Sequence, residues 1–177
     1  MLRFLLRLSA LIDALTDRIG RATRWLVLVA VLVSAGNALL RYGVNLSSNA
    51  WLELQWYLFS AVFLLGAGYT LKANGHVRID LVSGRLTPRA QAWIDIVGTL
   101  FFLLPMAGIL LYFSWPMFLD SYVTGELSSD AGGLVRWPAK LLIPAGFALL
   151  ILQAAAELIR RIAFLAGALP ARTGARG

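Results

Sequence analysis

Four long apolar runs, separated by short polar breaks, dominate the chain and predict four membrane-crossing helices. They extend from about Trp25 to Val44, Trp51 to Leu71, Ala92 to Phe113 and Pro138 to Leu158. Each supplies the roughly 20 apolar residues needed to cross a hydrocarbon core of about 30 Å. A helix also pairs all its own backbone N–H and C=O groups where there is no water to do so. Ahead of the first run the pattern changes: Leu5, Leu8, Ile12, Leu15 and Ile19 recur at steps of three and four, with Arg3, Arg7, Asp17, Arg21 and Arg24 on the other side. Residues 1–24 therefore read as an amphipathic helix. It either lies in the headgroup layer before the chain turns into the bilayer or extends the first span in a straight line. The fold class is all-α integral membrane: one four-helix domain over residues 1–170 with an amphipathic start, then a small polar tail, 171–177, expected to be disordered.

The breaks carry helix signals. Ser47, Ser48 and Asn49 end the first connection and are good N-cap residues for the second helix. Gly75 supplies a stop after Lys72, and Thr87-Pro88 reads as an N-cap followed by proline at the first helical position. Pro105 removes a backbone hydrogen bond inside span three and predicts a kink. Trp25, Trp51, Trp115 and Trp137 fall at predicted span ends, as an aromatic belt requires.

Composition agrees: 59% of the 177 residues are hydrophobic and 14% charged, with a mean hydropathy of +0.75, whereas a soluble domain carries about 25% charged residues. The net charge of +7 raises the question of nucleic acid, but its distribution answers otherwise. Arg3, Arg7, Arg18, Arg21 and Arg24 precede span one; Lys72, Arg78, Arg85 and Arg89 lie between spans two and three; Arg160, Arg161, Arg172 and Arg176 follow span four. Only Arg41, Arg136 and Lys140 lie elsewhere. The positive-inside rule then predicts both termini and the central loop in the cytoplasm, with the basic residues facing anionic lipid headgroups and no nucleic-acid partner. The 24 residues before the long first run argue against a cleaved signal peptide. The chain has no cysteine, which removes disulfides and thiolate chemistry together.

Candidate chemistry is sparse. A single histidine excludes a haem held by two histidines, and no His, Asp and Glu cluster has metal-ligand spacing. There is no Gly-rich phosphate loop and no serine elbow, so an enzyme, a cofactor or a metal site is not expected. The repeats, broken helices and polar midplane site of a self-sufficient secondary transporter are missing too, so any transport role calls for another chain to carry the substrate. Glu53 starts span two, where it either answers the helix dipole or contacts a partner or Arg41; Asp95 reads the same way at the start of span three. Glu157 stands at ion-pair spacing from Arg160 and Arg161. Asn37 and Gln153 are the deeper polar side chains and are expected to bond a neighbouring helix. Gly66, Ala67 and Gly68 permit close packing, within the hairpin or against a partner. Asp120, Glu126 and Asp130 lie on the largest outer loop, either as a solvated surface or as a contact for another protein.

Three stretches carry a resemblance: Trp51-Leu52-Glu53-Leu54-Gln55-Trp56, Phe63-Leu64-Leu65-Gly66-Ala67-Gly68-Tyr69, and Lys72-Ala73-Asn74-Gly75-His76-Val77-Arg78-Ile79-Asp80. With the amphipathic start, the four spans and the Trp137-Pro138 opening of the last, the chain resembles the small membrane subunit (DctQ-type) of tripartite ATP-independent periplasmic, or TRAP, transporters. The resemblance implies a bacterial inner-membrane protein with two partners: a periplasmic solute-binding protein that captures a carboxylate-bearing solute, and a large membrane subunit that moves it with sodium. The small subunit would brace the large one. Leu54-Gln55 replaces the paired acids often found after the glutamate, a departure that resembles the branch associated with oxo acids and related organic anions. By the same resemblance Glu53, Trp56, Gly66, His76, Arg78 and Asp80 are candidates for structural or large-subunit contacts, and Asp120, Glu126 and Asp130 for contact with the binding protein. The competing reading is a free-standing membrane scaffold or assembly protein with no transport partner.

Overall fold

The computed structural model describes residues 2–45, 48–73 and 86–169. They form four helices: α1 (Leu2–Gly43), α2 (Asn49–Lys72), α3 (Pro88–Thr124) and α4 (Trp137–Leu165). All four are long and apolar enough to cross a membrane. Ser48 caps α2 by accepting a hydrogen bond from the Ala50 N–H at 3.3 Å, and Thr87 caps α3 by accepting from Ala90, with Pro88 at the first position. The expected Gly75 stop, the motif residues His76, Arg78 and Asp80, and the tail from 170 lie outside the described residues.

The amphipathic start and the first span are a single helix. α1 runs unbroken for 42 residues, about 63 Å at 1.5 Å per residue, with no turn between them, so the straight extension is the form adopted. Its most deeply buried positions lie beside the leucine stripe. Ser9, Thr16, Thr23, Ala30 and Asn37 are buried at seven-residue intervals, with Gly20 between them, while within the stripe Leu5, Ile12 and Ile19 are half-buried and Leu8 and Leu15 are exposed. A seven-residue repeat keeps one seam facing its neighbours along a long helix. Small and hydroxylic residues suit that seam in a membrane protein, because lipid is as apolar as leucine and helices gain most from close approach and hydrogen bonds.

α4 is the central helix. It packs against each of the others, α1 also packs along α2, and α3 is held essentially by α4. One-third of the most apolar stretch of α4 is buried, against 6% of that of α3. At the α2–α4 crossing a Cβ on Gly146 would stand 2.8 Å from the Leu64 carbonyl oxygen, so only glycine permits this approach.

The kink expected at Pro105 takes the form of a π turn over Thr99–Leu103, closed by a bond from the Leu104 N–H to the Thr99 carbonyl. Proline cannot donate and its ring crowds the preceding turn; the wider turn accommodates both effects without ending the helix. Pro116 is also carried inside α3, which continues to Thr124 and closes on left-handed Gly125 at φ 60°. The helix thus extends beyond the end expected near Phe113.

Candidate functional site

Polar side chains gather at the two ends of the bundle. At one end the 125–136 connection folds back on itself through a Leu127–Val135 antiparallel bridge, with Ser128 N–H bonded to Leu134 O at 3.0 Å and Arg136 N–H to Glu126 O at 2.9 Å. Asn49, Glu53 and Tyr57, spaced by four on one face of α2, fasten it. Asn49 Nδ2 donates to Ala131 O at 3.0 Å, and the Tyr57 hydroxyl donates to Val135 O at 3.0 Å. Between them the Glu53 carboxylate accepts from the Ser128 hydroxyl on Oε1 and from the Leu134 N–H on Oε2, the latter at 2.6 Å. Glu53 is only 4% exposed. Gly133 lets the loop come this close, since a Cβ there would lie 2.8 Å from Glu53 Oε1 and overlap Ser128.

A second tie joins the loop to α4: Glu126 pairs with Lys140. The Lys140 ammonium, with Arg136 nearby, holds the Glu126 carboxyl below the ordinary carboxylate range. Asp120 lies near the end of α3 and not on the loop where it was expected, and both it and Asp130 are exposed. Of the three acids expected on the loop, then, Glu126 is a strut to α4 and the other two are exposed.

The Glu53 carboxylate is thus held through both oxygens by the loop of its own chain, and not by Arg41. Trp56, three positions on, stacks edge-on to Tyr57 at 4.5 Å between centroids and is 46% exposed. It opens a groove of about 290 Å³ between α2 and α3, floored by Ala139 and Ile143 of α4. Gly66 faces open space, with nothing of its own chain within 4 Å of a Cβ placed there, whereas Gly68 packs on α4 near Leu149.

At the opposite end, α1, α2 and α4 share a polar network. Gln153, fully buried, accepts from the Thr16 hydroxyl at 2.7 Å and donates to Asp13 at 3.0 Å. Arg160 reaches Asp13 with one arm and Glu157 with the other, the latter at 2.6 Å. Lys72 at the end of α2 pairs with Asp17 at 2.6 Å and donates to the Asp13 carbonyl. Arg161 crosses to Asp95 of α3 at 2.8 Å. The Glu157 spacing thus forms its pair with Arg160, and Asp95 is an interhelical strut in addition to lying near a helix start. Among the described residues no group of three or more His, Cys, Asp and Glu side chains could hold a metal ion.

The two ends are clasps that fix the four helices in register. Sequence reasoning missed the outer one because Glu53 meets residues 75 and 81 positions away, which no local spacing encodes. The weak available signal was the glycine pair Gly132-Gly133 beside a helix that starts with Asn, Glu and Tyr at intervals of four.

Comparison with known proteins agrees with this architecture. Residues 30–164, most of the chain, match the model of the family "Tripartite ATP-independent periplasmic transporters, DctQ component". The chain is also similar to the C4-dicarboxylate TRAP transporter small permease protein DctQ of Pseudomonas aeruginosa, with 26% identity over 132 residues, covering 73% of this chain and 61% of that protein. The chain thus spans less than two-thirds of the length of that relative. No solved structure matches it. The four apolar helices and the match across α2 and α3 in full, nearly all of α4 and the last third of α1 lead to one conclusion: this chain belongs to the DctQ-component family of small permease subunits of TRAP transporters.

Proposed function

We propose that this protein is the non-catalytic small subunit of a TRAP-type importer of a carboxylate-bearing organic anion, packed in a bacterial inner membrane against a sodium-coupled large subunit and served by a periplasmic binding protein. The family match over residues 30–164 carries this reading. The name of the relative makes C4-dicarboxylates the first solutes to try. The clasped ends give the subunit its mechanical role. A bundle held at both ends by buried polar bonds resists shear, and a stiff brace is what a moving partner needs beside it. The arginine-rich end, with both termini, lies in the cytoplasm by the positive-inside rule, and the Glu53-fastened loop faces the periplasm.

Purification of the tagged protein from its native membranes in mild detergent tests this. A large polytopic subunit is expected in comparable amount by mass spectrometry. Isolation of the chain alone, or with unrelated proteins, would count instead for a free-standing scaffold.

A further inference from the structure

We propose that the face of α1 around Gly36 and Asn37 seats a transmembrane helix of the large subunit, one that presents small residues and a hydrogen-bonding side chain to the Asn37 carboxamide. This rests on the proposed function and names the surface it uses.

Asn37 is only 6% exposed, and its Oδ1 has no hydrogen-bond partner. The other deep carboxamide, Gln153, is bonded at both its oxygen and its nitrogen. Asn37 lines an open groove of about 270 Å³ with Leu32, Gly36 and Leu40 of α1 and Trp51 of α2. A Cβ at Gly36 would meet nothing within 4 Å, and the surrounding sequence, Ser34-Ala35-Gly36-Asn37-Ala38, is small throughout. The backbone of α1 is therefore bare enough for another helix to approach closely, as small-residue interfaces in membranes do.

The unpaired carboxamide selects among possible occupants. A buried amide without a partner is costly in an apolar medium, and an acyl chain has neither donor nor acceptor with which to relieve it. A helix carrying Ser, Thr, Asn or Gln has both. Rotation about the terminal torsion of Asn37 turns either carboxamide atom toward the groove without moving α1. By contrast α3 exposes bulky Phe101, Phe102, Tyr112 and Phe113, which hold a neighbouring helix at a distance.

The test uses the complete transporter in its native membrane, with a photo-crosslinking residue placed singly at Leu40 or, on α3, at Tyr112. Crosslinks to the large subunit are expected from Leu40. Gly36→Leu and Asn37→Leu should each lower the large subunit recovered by about threefold or more, the scale of one interhelical hydrogen bond in a membrane. Gly36→Leu should leave the melting temperature of the isolated small subunit unchanged, because nothing within the chain lies near a Cβ at that position, and Asn37→Gln should retain more partner than Asn37→Leu. Large-subunit crosslinks from Tyr112 and none from Leu40 would overturn the inference alone. So would Leu40 crosslinks confined to lipid or a second copy, or undiminished recovery with both leucine variants. If the unmodified protein brings down no large subunit, the functional reading falls and this inference with it.

Discussion

Glu53 and Gly133 do one job between them: the carboxylate offers two acceptors, and the missing side chain lets the loop reach them. Gly133→Ala places a methyl group against Glu53 Oε1 and Ser128 and is expected to destabilise the protein by about 1–3 kcal/mol, the usual cost of overpacking. Gly66→Ala, into open space, is the matched control and should change little. Thermal unfolding in detergent reads both, and equal melting temperatures for the two variants would contradict the clasp. Glu126 adds a dependence on pH. Its folded-state value is lowered by Lys140, so its contribution is complete above the ordinary carboxylate range and fades as pH falls below that range through the lowered value. The melting temperature of wild type should exceed that of Glu126→Gln near neutral pH, and the gap should close in acid. A constant gap would show that the ion pair with Lys140 is not its source.

At the scale of helices, four were legible because twenty apolar residues in a row have few alternatives, and each is long and apolar enough to cross a membrane. The length of the third was not, since α3 passes through Pro116 to Thr124, as neighbouring elements can absorb a proline inside a membrane helix. The leucine stripe of residues 5–19 was legible as amphipathic. The packing seam was not, because the heptad of Ser9, Thr16, Thr23, Ala30 and Asn37 is inconspicuous beside larger side chains. Gln153 was expected to bond a neighbouring helix and does so, to Thr16 and Asp13 of α1. Gln153→Leu leaves both without that partner, which costs about 1–3 kcal/mol for buried polar groups. Amide hydrogen exchange over residues 9–20 should then speed up by about fivefold or more, while that of residues 104–124 stays as it was. Uniform acceleration across the chain would mean that the network is not a local tie of α1 to α4.

For the whole molecule, the arrangement explains why so little of this chain looks chemical. α4 occupies the centre, α1 and α2 brace one side of it, and α3 stands on the other with most of its surface uncovered by the chain itself. Among the described residues the charged side-chain pairs gather in the two clasps, and between them lie close helix crossings such as that at Gly146. Such a body transmits and resists force, and that is the role proposed for it beside a transporting partner. The direct measurement is uptake of a labelled C4-dicarboxylate by native cells lacking only this subunit, with the large subunit and binding protein still produced. The account predicts that sodium-dependent uptake falls to background and returns when the chain is restored. Uptake that continues at the wild-type rate without it would contradict the central claim that this protein is a required part of the importer.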